Sequence, residues 1–194
     1  IGNWRLAHEA GAFAVGPSSG NTGWYSSSES DVTTRSCLFD DIYTFGADGT
    51  FQNILGNETW LETWQGVGSE ACGQPVAPHN GSGSFTYYQA AANAITVIGS
   101  GAYLGIPKVV NMGEFSATPS PEVPDSITYT IMAATAQTMT IEIGYGNGYW
   151  TFKFQRIPSI TIPANLTGNG PDKVLNTSND VIVSGSFSID GKVF

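Results

Sequence analysis

The chain has 194 residues, a formal net charge of −9 and only 12% charged residues. That balance excludes a phosphate-reading surface, which needs clustered Lys and Arg, and it disfavours an anionic membrane for the same reason. No stretch approaches the roughly 20 consecutive apolar residues of a membrane span, so no membrane insertion is expected.

Glycine is abundant at 24 residues, aromatics make up 12%, and Ser, Thr and Asn are plentiful. β-Branched and aromatic side chains fill pleated surfaces while Gly and Asn make turns, so the composition predicts a β-rich extracellular or cell-surface protein. The opening residues carry no export-signal pattern, so Ile1 is expected to begin a mature chain or an excised segment. Cys37 and Cys72 are the only cysteines. Their spacing fits neither a CxxC redox motif nor a zinc cluster. In an oxidising compartment they pair, closing a loop worth roughly 3–4 kcal/mol; in a reducing one they are buried thiols.

In chain order, a short strand is predicted near Trp4, followed by Ala/Gly-rich sequence to Pro17. Residues 18–36 read as a polar loop interrupted by Trp24-Tyr25, either a projecting contact or a lid on the core. Phe39, Asp41, Tyr43 and Phe45 alternate with Asp40, Ile42 and Thr44. Asp48-Gly49 then turns the chain into Thr50–Ile54, a strong hairpin signal. Glu58 to Gln65 reads as a strand whose two-residue period places Glu58, Trp60, Glu62 and Trp64 on one face. Residues 66–84 are a long loop with Cys72 and His79. Strands follow at 84–89 and 94–98, then a glycine-rich loop, Gly99 to Asn111, with an exposed-looking Tyr103. Pro119, Pro121 and Pro124 rule out a central strand over 112–126. Ile127–Ile143 forms a hairpin. Trp150, Phe152 and Phe154 then alternate with Thr151, Lys153 and Gln155 as a half-buried antiparallel strand. Residues 158–194 are a Pro/Asn/Gly-rich linker and strand-like tail, with strand signals at 181–189.

Short, regularly spaced strands without a long helix predict an all-β, antiparallel barrel or sandwich over residues 1–157, with residues 158–194 as a C-terminal extension. Gly2-x-Trp4 near the start and Arg156 ending the last strand resemble the pairing by which lipocalin-like barrels close one end. The run Cys37-x-x-Asp40-Asp41-x-Tyr43-x-Phe45-x-x-Asp48-Gly49-x-Phe51, with a second cysteine downstream, resembles lipocalin-like domains of secreted Bacteroidetes proteins. Such domains are similar to modules attached to polysaccharide-degrading enzymes and surface glycan-binding proteins. The resemblance implies a fold and a compartment rather than a site.

The chemistry allows several readings. As a glycosidase pair, Glu58 and Glu62 would have α-carbons about 13 Å apart in a strand. Retaining enzymes hold their carboxyls about 5–5.5 Å apart and inverting ones about 6.5–9.5 Å. Glu58-x-Trp60-x-Glu62 is similar to the Glu-x-Asp-x-Glu strand of laminarinase-type glycosidases, with Trp60 replacing the middle Asp. Asp40 and Asp41 offer oxygen ligands for calcium, or cap a strand start. No other cofactor is expected. The reading preferred here is a non-catalytic module that binds polysaccharide or oligosaccharide. Trp24, Tyr25, Trp60, Trp64 and Tyr103 are its candidate platforms, and Glu58, Glu62, Lys108 and Asn111 its polar partners. Alternatives are a carrier holding a small apolar ligand inside the barrel, and an adhesin or filament subunit contacting another subunit through its tail.

Overall fold

The computed structural model describes residues 1–81, 86–116 and 121–158, together with the backbone of residues 160–161, 188–189 and 192–193. It forms two compact units, Ile1–Ile157 and Pro158–Phe194. The first strand is bent into β1 (Gly2–Leu6) and β2 (Phe13–Gly16), followed by β3 (Tyr25–Ser26) and the short helices α1 (Glu29–Thr34) and α2 (Ser36–Phe39). The hairpin β4 (Ile42–Phe45) and β5 (Phe51–Ile54) comes next, then the small hairpin β6 (Thr59–Leu61) and β7 (Ala71–Gly73). Two further hairpins are β8 (Tyr87–Ala91) with β9 (Ala94–Ile98), and β10 (Val109–Val110) with β11 (Gly113–Glu114). The long strands β12 (Ser126–Ala134), β13 (Thr138–Gly144) and β14 (Tyr149–Arg156) complete this unit.

The main sheet runs β5-β4-β1-β14-β13-β12-β9-β8. Its two outer strands meet: Thr50 bridges Tyr87, Phe51 N–H donates to Thr86 O at 2.9 Å, and Tyr88 N–H donates to Gly49 O at 3.0 Å. The Thr86 hydroxyl also donates to the Phe51 carbonyl. The ribbon is thus an almost closed antiparallel barrel in which each stave neighbours the next in sequence, the arrangement that leaves few free edges. Trp4 and Arg156 are cross-strand partners where β1 meets β14, and Trp4 is buried in the core.

Alternation decides which faces point inward. In β14, Trp150, Phe152 and Phe154 are buried and the intervening residues are not; Tyr43 with Phe45, Ile95 with Val97, and Ile127 with Tyr129 do the same on their strands, while in β13 Glu142 is buried as well as its neighbours Ile141 and Ile143. The predicted Asp48-Gly49 hairpin is present, with Phe45 opposite Phe51.

The interior is filled from one end by the segment after β9. Tyr103 and Leu104 are both 0% exposed, and Ala102 and Ile106 are buried with them. A buried loop needs partners for its backbone polar groups. Three inward polar side chains supply them: Asn53 Nδ2 donates to Tyr103 O (2.8 Å), Tyr43 Oη donates to Gly105 O (2.7 Å), and Tyr129 Oη accepts from Leu104 N–H (2.9 Å). Gly105 has φ +81°, and a β-carbon there would stand 2.4 Å from the Phe152 ring. The glycine-rich loop of the sequence reading is therefore a plug, and Tyr103 is core rather than an exposed platform. Tyr103 and Leu104 occupy the interior at that end.

The barrel's two ends differ. Tight turns join β4 to β5, β8 to β9 and β12 to β13 at one end. Among the described residues, the opposite end receives the connecting segments 17–41, 55–81 and 99–116, together with the short turn 145–148. In the second unit, β15 (Ile160–Thr161), β16 (Ser188–Ile189) and β17 (Lys192–Val193) pair antiparallel. The predicted strand over 181–189 lies outside the described residues except for 188–189.

Candidate functional site at the loop end of the barrel

The segment Glu58–Gln65 does not run as one strand. It pairs with β7 over Thr59–Leu61 and then tightens into a 3-10 turn, Thr63–Gln65, closed by Gly66 in the left-handed region. Gln65 Oε1 accepts from Glu62 N–H at 3.0 Å and holds that turn. Thr59 and Leu61 take the buried face, so Glu58, Trp60 and Glu62 point the other way, and the turn carries Trp64 off that face.

The predicted residues consequently separate. Trp60 is half-buried beneath Arg35, whose guanidinium lies 4.5 Å from its ring centroid, and it is paired with Cys72 of the Cys37–Cys72 disulfide. It is a structural brace and not an open platform. Glu58 is exposed on a separate cleft of about 540 Å³, lined also by Asp40, Ile54 and the disulfide. Glu62 does not line that cleft, so the two glutamates do not share a site. Asn111 is structural as well: its amide donates to Thr128 O and accepts from Thr128 N–H, both at 2.8 Å, taking a ladder position on β12. Trp24 (55% exposed) and Tyr25 (37%) sit on the rim, with Tyr25 Oη donating to Asp31 Oδ2 at 3.4 Å.

Asp40 and Asp41 diverge. Asp40 faces solvent while Asp41 is 0% exposed, with Oδ2 accepting from the Thr59 hydroxyl at 2.7 Å. Its Oδ1 has no hydrogen-bond partner among the described residues. Burial pushes this carboxyl up to about 8, with the Asp40 charge adding to the rise and the Thr59 bond opposing it. The two carboxylates therefore form no shared oxygen cage. Among the described residues, no group of three or more His, Cys, Asp or Glu side chains is placed to hold a metal ion.

Glu62, Trp64 and Lys108 do come together. Lys108 Nζ lies 3.3 Å from Glu62 Oε1, 3.6 Å from Glu114 Oε1 and 5.1 Å from the Trp150 ring centroid. The other Glu62 oxygen accepts from Trp64 Nε1–H at 2.8 Å. The Trp64 ring stacks on Phe115 with centroids 4.8 Å apart and a 12° interplanar angle, and His79 meets both rings edge-on at 5.6 Å. With its nitrogen and one partner ring fixed, the indole has little rotational freedom left to lose on binding.

These rings border a cleft of about 280 Å³ lined by Trp64, Gln65, Ala77, Pro78, His79, Phe115 and Val123. Its walls are apolar apart from one amide and one imidazole. Burial lowers the His79 imidazole to about 4, so it is neutral at physiological pH. An apolar hollow with a few convergent polar groups is the usual form of a small-molecule site. His79, Phe115, Gln65 and Glu114 were not among the predicted site residues. Phe115 carries one weak signal, an isolated aromatic in a Gly/Pro-rich stretch, and Gln65 ends the Glu58–Gln65 stretch; nothing local marks His79 or Glu114 as ligand residues.

The chain matches no family model and no curated protein.

Proposed function

We propose that the protein is a non-catalytic, extracellular carbohydrate-binding module that takes a neutral sugar ring into the Trp64–His79–Phe115 cleft. The observation that carries this reading is the immobilised Trp64 indole, stacked on Phe115 and held at its nitrogen by Glu62, in a hollow of about 280 Å³. Sugar C–H faces pack on flat aromatic rings, and the Gln65 amide and neutral His79 imidazole are hydrogen-bonding groups for hydroxyls. Lys108, held near the Trp64 ring by Glu62, is paired with Glu62 and Glu114, and the chain's net charge is −9. Both features favour a neutral ligand over an anionic one. The disulfide suits an oxidising compartment. The pairing of Glu62 with Lys108 and Trp64 argues against its use as a glycosidase acid or base, because both of its oxygens already have partners.

Affinity electrophoresis in gels containing xylan, mannan or laminarin, with tryptophan fluorescence titration against their oligosaccharides, tests the reading. Wild type is expected to be retarded by at least one of these glycans, and Trp64→Ala to weaken binding by about tenfold or more. A folded wild-type protein that migrates unchanged in every gel would defeat it. Release of reducing sugar would replace binding with catalysis.

A further inference from the structure

The loop over residues 17–24, between β2 and β3, holds one aromatic ring in the open. Gly20 N–H donates to Glu142 Oε2 at 2.7 Å, and Glu142 is only 3% exposed. Asn21 Oδ1 accepts from Gly23 N–H at 2.8 Å, and Trp24 N–H donates to Val15 O at 3.1 Å. The indole lies against the Gly148 backbone so closely that a β-carbon there would stand 2.6 Å from Trp24 Cζ3. Yet 55% of Trp24 remains in water. The hydrophobic effect by itself would turn such a ring inward. A buried carboxylate, an Asx turn and a missing side chain together hold it where it does not bury.

The surroundings select the ligand class. No Lys or Arg occurs between Arg5 and Arg35, so the loop itself brings no cation to an anionic ligand. Ser18, Ser19, Asn21 and Thr22 of the same loop are exposed and can exchange hydrogen bonds with hydroxyls. Tyr149, next to Gly148 in sequence, is a further partly exposed ring. The segment that carries Lys108, Glu114 and Phe115 is joined to the same hairpin: Met112 N–H donates at 3.2 Å to Gly144 O, at the end of β13 and four residues before Gly148.

We infer that Trp24, backed by Gly148 and flanked by Asn21 and Tyr149, is a second contact for the same neutral polysaccharide, outside the Trp64 cleft. The inference rests on the glycan reading of that cleft. It makes the loop end a two-point site, where a single ring fills the cleft and only a longer chain reaches Trp24 as well. Linking two contacts through one ligand raises the apparent affinity without changing either contact.

The test compares wild type, Trp24→Ala and Trp64→Ala on xylose, mannose and glucose, on their oligosaccharides of increasing length, and on xylan, mannan and laminarin. Trp24→Ala is expected to weaken polymer binding by about tenfold or more while leaving short-sugar binding unchanged, and Trp64→Ala to weaken both. Trp24→Phe should recover part of the polymer binding. Polymer binding by Trp24→Ala equal to wild type would overturn the inference and leave the cleft reading standing. Binding that depends on Trp24 and not on Trp64 would do the reverse, and a wild type that binds no probe would remove both. Trp24-dependent dimerisation on size exclusion would also overturn it, by assigning the ring to a second copy of the chain.

Discussion

Two glycine-rich loops at the same end of the barrel look alike in sequence and end oppositely. Residues 17–24 and 99–106 are both rich in Gly with a single large aromatic contact, yet Trp24 is 55% exposed and Tyr103 is 0% exposed. The difference lies in what each loop meets. The second enters a barrel whose inward positions include Tyr43, Asn53 and Tyr129, three polar groups able to satisfy its backbone. The first finds the outer face of β13 and the turn before β14, where Glu142 accepts from Gly20 N–H and the Trp24 ring lies against Gly148 without being enclosed. Composition sets what a loop can do; the volume and hydrogen-bond partners opposite it set what it does.

The largest effect is expected from breaking the plug. Gly105→Ala forces a β-carbon to within 2.4 Å of Phe152 at φ +81°, and should cost roughly 3–5 kcal/mol or prevent folding. At Gly20, where φ is +73° but the space is open, alanine should cost only about 1 kcal/mol, read from urea midpoints. Tyr103→Ala is expected to destabilise by roughly 3–5 kcal/mol through the cavity it leaves. Trp24→Ala should stay within about 0.5 kcal/mol of wild type by the same measurement. Equal losses at the two aromatics would erase the distinction between plug and rim.

The pH dependence sharpens the contrast, because the titrating groups pack around the plug. Unfolded Asp41 ionises near its ordinary 3.8 and the folded form only near about 8. The folded state therefore holds the proton more tightly. Its stabilisation is complete below pH 3.8 and is lost as the pH rises towards 8. His79 has the opposite sign: its value falls from 6.5 to about 4, so its contribution is complete above pH 6.5 and is lost as the pH falls towards 4. Between these limits the two slopes oppose each other, and above 6.5 Asp41 acts without His79. Asp41→Asn is expected to raise stability at pH 8 by roughly 3–5 kcal/mol. It should also expose the His79 decline at acid pH in denaturation curves. A wild type with no loss between pH 6.5 and 8 would contradict the buried neutral carboxyl.

A further, modest effect belongs to the rim. Glu142→Ala removes the acceptor of Gly20 N–H and should cost about 1–2 kcal/mol. Its specific mark would be faster hydrogen exchange at the Gly20 amide with the plug amide of Leu104 unchanged.

Much of the barrel was legible because its signals are local. Alternation in Tyr149–Arg156 and the Asp48-Gly49 turn each need only neighbouring residues to be read, and both appear in the structure. The candidate site was less so. Glu62, Trp64 and Lys108 were anticipated as ligand residues and do converge. Trp60, Tyr103 and Asn111 were anticipated too and serve the fold instead. Arg35, which covers Trp60, lies 25 positions earlier in the chain. Asn53, which draws in Tyr103, lies 50 residues away. The Glu58–Gln65 strand fails at Glu62 because Gln65 turns back on its backbone, a preference that competes with pleating and has no period to betray it. Asn53 carries the local signal of the plug: it shares the inward face of β5 with Phe51, and a polar side chain on a core face calls for a buried partner.

The sequence by itself determined an all-β chain, the order of the main hairpins, the acidic character and the pair of cysteines able to join. These depend on side-chain period, turn residues and composition, which act over a few positions at a time. Only the tertiary structure decided that the barrel is plugged, that the long connections gather at one end, and that Trp64 is clamped while Trp60 is covered and Trp24 is presented. Each of those outcomes depends on which residue, often tens of positions away, supplies the facing surface or the hydrogen-bond partner.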